Sequence, residues 1–230
     1  MRTIHFRSLS VGALTLLVSA GSAAAQTTTS AVLNSLEVHE LIKRGEPADH
    51  GRLGVHFAVL AEQYAADAKR HNAMARAFVA TPTRRTAANS SADHCRRLEQ
   101  LNLQSADALR ALAAHHDALA EGKPSVAPRD AGRFERGEGA PAPTAEQLSA
   151  LAAKASTPAD HRGLAEYFET TARRYTREAN DHATMAQAYR GTRISQAAAH
   201  CDRLVTLARD SAKEATTAAV MHTELANVAR

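Results

Sequence analysis

Residues 47–78, PADHGRLGVHFAVLAEQYAADAKRHNAMARAF, recur as residues 158–189, PADHRGLAEYFETTARRYTREANDHATMAQAY. Self-similarity on this scale marks a duplicated structural unit, so the fold of one copy is read twice. At a constant offset, Leu53, Phe57, Tyr64, Ala68, His71, Met74 and Ala75 meet Leu164, Phe168, Tyr175, Ala179, His182, Met185 and Ala186. The match continues downstream after a short deletion: His94-Cys95 meets His200-Cys201, and Leu98, Ser105, His116 and Leu119 meet Leu204, Ser211, His222 and Leu225. Other positions have drifted, among them Glu62/Arg173, Ala66/Arg177 and Arg70/Asp181, as a solvated helix face allows.

Within the first copy, His50, Leu53, Phe57, Leu60, Tyr64, Asp67, His71, Met74 and Phe78 follow alternating steps of three and four. That is the seam of a bundled helix. Cys95, Leu98, Asn102, Ser105, Leu109, Leu112, His116 and Leu119 form a second seam. Abundant alanine, an aromatic content of 4% and no tryptophan favour helices over a β-sandwich. Each copy therefore reads as a short helix followed by two long ones. In the first copy these fall near 31–44, 47–80 and 90–121, with Ser90 and Asp93 capping the third. In the second, Thr144 opens a short helix, Thr157, Pro158 and Asp160 start a helix over 158–190 that ends at Gly191, and the last runs over 193–228. The expected architecture is an all-α four-helix bundle from two duplicated αα-hairpins, each preceded by a short helix.

Residues 1–25 carry the marks of a secretory signal: Arg2 and Arg7, an apolar stretch from Leu9 to Ala20, and Ala23-Ala24-Ala25 before Gln26. The expected divisions are this signal, a first repeat over 26–121, a Pro/Gly-rich linker over 122–143 and a second repeat over 144–230. The predicted location is periplasmic or secreted, with no membrane insertion after cleavage, because no later run approaches the roughly 20 apolar residues of a spanning helix. The formal charge of +4 falls to about +2 once Arg2 and Arg7 are discounted. With no basic patch interleaved with aromatics, a nucleic-acid partner is not expected.

The seams also carry metal-ligand chemistry. In an antiparallel hairpin, residues at equal height have equal index sums, a condition met by His50/His116 with His71/Cys95, and by His161/His222 with His182/Cys201. If the two hairpins pack with these levels aligned, one layer holds His50, His116, His161 and His222. Another, roughly 31 Å away at 1.5 Å per residue, holds His71, Cys95, His182 and Cys201. Met74 and Met185 follow one turn beyond their histidines, and His94 and His200 adjoin the cysteines as ligands or outer-shell groups. Thiolate, thioether and imidazole together favour copper, as Cu(I), with zinc as the alternative. Asp67 and Glu178, one turn before His71 and His182, add an acid that orients imidazole or serves a harder ion.

The expected activity is thus binding, buffering or carriage of a soft metal, without catalysis. The chain has no Gly-rich phosphate loop, no Gly-x-Ser-x-Gly elbow and no His-Glu-x-x-His motif. One rival is noncovalent haem held by His and Met on facing helices, since Cys-x-x-Cys-His is absent. Another is a structural or interaction protein of the envelope with a Cys95–Cys201 disulfide. The aromatic pairs Phe57/Phe168, Tyr64/Tyr175 and Phe78/Tyr189 read as packing alone.

Overall fold

A computed structural model describes residues 32–80, 85–120 and 142–228. Most of these residues are helical, and no strand occurs among them. The six helices are α1 (Ser35–Arg44), α2 (Pro47–Val79), α3 (Arg85–Leu119), α4 (Ala145–Lys154), α5 (Pro158–Arg190) and α6 (Gln196–Val228). The predicted signal, residues 1–25, lies outside the described residues, as does nearly all of the predicted linker over 122–143. None of the described helices is long and apolar enough to cross a membrane.

Local chemistry sets the helix starts. At α5, the Thr157 hydroxyl accepts from the Asp160 N–H while the Asp160 carboxylate accepts from the Thr157 N–H, and Pro158 takes the first helical position. Thr144 and Gln147 make the same reciprocal cap on α4, and Asn34 and Glu37 make it on α1. Gly45 ends α1 in the left-handed region at φ 66°, where a side chain would be strained. The equivalent of Thr157 in the first repeat is Glu46, which makes no side-chain cap, and Asp49 turns to the Arg44 guanidinium at 2.7 Å instead. The expected Ser90 cap is not at a helix start, because α3 begins at Arg85 and Ser90 lies within it.

Helix α2 packs along α3 and α5 along α6, each pair antiparallel, and α3 lies close against α6. A Cβ on Gly54 would displace the Asp117 carboxylate, while the α3 backbone at Ala113 O would stand at an ordinary 3.5 Å from it. Helices α2 and α5 meet instead through long side chains: Tyr64 stacks on Tyr175 with centroids 6.3 Å apart, and His71 stacks on Phe168 at 6.4 Å. The short helices lie across this arrangement, α1 and α4 each touching both α2 and α5.

The pairing of α2 with α5 fixes how the two repeats face each other. The His116 ring beside the start of α2 meets Tyr189 at the end of α5, while Phe78 at the end of α2 meets His222. Helix α2 therefore runs against α5. Tyr64 and Tyr175, matched positions of the sequence repeat, face each other near the middle of this antiparallel pair.

Candidate metal centre and the buried polar centre

That orientation corrects the expected layers. Equal index sums set heights inside one hairpin but say nothing about which end of the other hairpin lies beside it. His50 and His116 sit at the Tyr189 end, whereas His161 and His222 sit at the Phe78 end, about 40 Å away along α2 at 1.5 Å per residue. The second layer divides in the same way. His71 lies level with Phe168, and His182 is roughly 20 Å further along α5. Among the described residues, no three His, Cys, Asp or Glu side chains gather in a way that would hold a metal ion.

Within each hairpin the expected pairing does form. His50 Nδ1 and His116 Nδ1 are 3.2 Å apart, and His161 Nδ1 and His222 Nδ1 are also 3.2 Å apart. His116 and His222 have no exposed surface, and their partners are buried at the rim. Burial, with a smaller contribution from the facing ring, lowers the pKa of His116 and of His222 to about 3, so both are neutral at ordinary pH. Neutral imidazole is the ligating form. In the metal-free molecule, each 3.2 Å span fits a single N–H···N hydrogen bond, one ring donating and the other accepting.

The two clips differ on their far side. His116 Nε2 lies 2.8 Å from the Tyr189 hydroxyl, while His222 Nε2 is buried with no hydrogen-bond partner and has the Phe78 ring beside it, 5.8 Å between centroids. Tyr189 is therefore more than packing. The signal in the sequence was the Phe78/Tyr189 difference, which adds one hydroxyl to an otherwise matched pair. Phe57 stacks on His116 and Phe168 on His222, which holds both rings in place.

Among the described residues none of the remaining predicted ligands completes a clip, although His94 lies near enough to His222 to help lower its pKa and Cys201 adjoins Tyr189. His71 is fully buried with neither ring nitrogen hydrogen-bonded, and His182 Nδ1 is likewise buried without a partner. Met74 and Met185 are core residues. Phe168 and Tyr167 pack against the His71 ring. His94 pairs with Glu214 on α6, and His200 is half-buried.

Cys95 and Cys201 are both free and buried, and the Cys201 level lies roughly 20 Å along α6 from Glu214, the residue that His94 meets. A Cys95–Cys201 disulfide does not fit this arrangement. Burial pushes the Cys201 thiol up to about 12 and the Cys95 thiol higher still, so neither is a ready thiolate. Thiol counting without reductant is expected to find two thiols after unfolding and almost no fast-reacting thiol in the native protein. A count of zero after unfolding would contradict this placement.

The acids Asp67 and Glu178 do not await an ion, because an arginine takes that place. Arg174 Nη1 is 2.5 Å from Asp67 Oδ2 and 3.6 Å from Glu178 Oε1, and the Arg70 guanidinium also pairs with Asp67. The Tyr64 hydroxyl donates to Glu178 at 2.6 Å, and the Tyr175 hydroxyl donates to Asn102 Oδ1 at 2.8 Å. Burial opposes the Arg174 charge, yet Asp67 and Glu178 hold its pKa above the ordinary range. Gln63 is the counterpart of Arg174 in the first repeat of the sequence, so the second repeat alone carries this cation.

The chain matches no family model, no curated protein and no solved structure. Its own side chains are therefore the whole basis for a functional reading.

Proposed function

We propose that this is an exported transition-metal-binding protein, a four-helix bundle grown from a duplicated αα-hairpin, which takes one ion at each end. The ligands are Nδ1 of His50 and His116 at one end and Nδ1 of His161 and His222 at the other. The observation that carries this is the 3.2 Å span repeated in both hairpins. Two imidazole nitrogens about 2.0–2.1 Å from a tetrahedral ion stand about 3.3 Å apart, so each pair is already spaced for chelation. Two protein ligands leave open positions for water or a small ligand, which suits buffering or carriage.

Copper remains the first choice, on different grounds from those in the sequence. Burial holds both cysteines as thiols, so thiolate no longer selects Cu(I). For imidazole sites, affinity among divalent ions peaks at Cu(II), with zinc below it. Calorimetric titration of protein lacking a His-tag is expected to show two Cu(II) equivalents. His50→Ala and His161→Ala should each remove one, and the double variant should remove both. No uptake, or uptake unchanged in the double variant, would overturn this function.

A further inference from the structure

The two clips share their ligands but not their surroundings, and this difference bears on the order in which they fill. An ion on Nδ1 of an imidazole leaves the ring's single proton on Nε2. At His116 that N–H has an acceptor, the Tyr189 hydroxyl oxygen at 2.8 Å. At His222 the same N–H would be buried without one, because the position matching Tyr189 is Phe78. A buried donor with no acceptor is penalised, whereas an acceptor on the far nitrogen fixes the tautomer, orients the ring and strengthens it as a ligand.

Building on the metal reading above, we infer that Tyr189 is a positioning residue that makes the His50/His116 clip the high-affinity site and leaves His161/His222 as a weaker, second-filling site. Outer-shell partners of this kind change metal affinity by about 10- to 100-fold, which sets the expected gap between the two ends. The protein would then hold its first ion firmly at one end and exchange a second at the other. Duplication supplied the same ligand pair twice. The surroundings differ at the Tyr189/Phe78 hydroxyl and at His115, whose ring lies against His116 and whose counterpart is Met221; exchanging Tyr and Phe at 189 and 78 isolates the hydroxyl.

Single-site backgrounds test this with Cu(II) as the probe and a competing chelator to set the affinity scale. His161→Ala leaves only the first clip and His50→Ala only the second. The first is expected to bind about 10- to 100-fold more tightly. Tyr189→Phe in the His161→Ala background should erase most of that advantage. Phe78→Tyr in the His50→Ala background should supply the missing acceptor and tighten the second clip, a gain that a merely structural role for these rings would not produce. Equal affinities in the two backgrounds, or a gap that neither exchange moves, would overturn the role of Tyr189 and leave the metal reading standing. No Cu(II) binding in either background or in the unmodified chain would overturn both.

Discussion

Replacing Arg174 with methionine is expected to destabilise the protein by about 1–3 kcal/mol, below the range for a fully buried ion pair because the Arg174 side chain is 21% exposed and each acid keeps another partner. The guanidinium lies between Asp67, whose side chain is 6% exposed, and Glu178, whose side chain is 25% exposed. Methionine keeps most of the volume and removes the charge, so Asp67 keeps only Arg70 and Glu178 keeps the Tyr64 hydroxyl. The loss falls on the contact between the hairpins: α2 supplies Asp67 and α5 supplies Arg174 and Glu178, so the Arg174–Asp67 pair crosses from one to the other. Neutralising Glu178 as well, with Glu178→Gln, should recover part of the loss, since Asp67 still has Arg70 and no acid is then left without a cation. Urea unfolding followed by helical circular dichroism measures both. A loss below about 1 kcal/mol for Arg174→Met would mean that the network is effectively solvated.

The second large effect is acid unfolding of the metal-free protein. Burial lowers the pKa of His56, His71 and His182 to about 4, against an ordinary value of 6.5. Around His71 stand Asp67, which favours its charged form, and Arg174 and Arg70, which oppose it; His56 faces His182 and accepts a hydrogen bond from the Leu33 N–H. The folded pKa is depressed in all three. Their contribution to stability is therefore fully present above pH 6.5 and is lost as pH falls from 6.5 toward 4, because the unfolded chain binds the proton first. At about 1.4 kcal/mol per pKa unit, each contributes about 3 kcal/mol and the three together on the order of 10, comparable with the 5–15 kcal/mol total of a typical domain. A cooperative loss of helix is expected with its midpoint above pH 4. Stability that stays flat between pH 6.5 and 4 would mean that water reaches these rings.

Much of this fold was legible in the sequence, and the illegible parts have identifiable physical causes. The repeat, the three-and-four seams and the cap residues Thr144 and Thr157 locate the helices, because these signals are local. The start of α3 was misplaced because Ser90 and Asp93 resemble a cap, while helix-compatible residues continue upstream to Arg85. Pairing of His50 with His116 was readable because one hairpin fixes relative height. The sense of α2 against α5 was not readable, since a seam of period 3.5 is equally apolar in either direction. The choice rests on particular meetings, such as Tyr64 with Tyr175 and Arg174 with Asp67. Arg174 carries no repeat signal, because its counterpart is Gln63. Tyr189 escaped notice for the related reason that Phe78 makes the pair look like simple aromatic packing.

The most direct measurement is a long-range proton–nitrogen spectrum of the histidine rings, assigned by single substitutions and recorded before and after loading with diamagnetic Zn(II). Nδ1 of His50, His116, His161 and His222 is expected to shift to the range of a metal-bound nitrogen while every Nε2 in that group keeps its proton. The rings of His71 and His182 should stay as they were. Unmoved Nδ1 signals in those four rings under saturating zinc, or coordination appearing only at other histidines, would contradict the account.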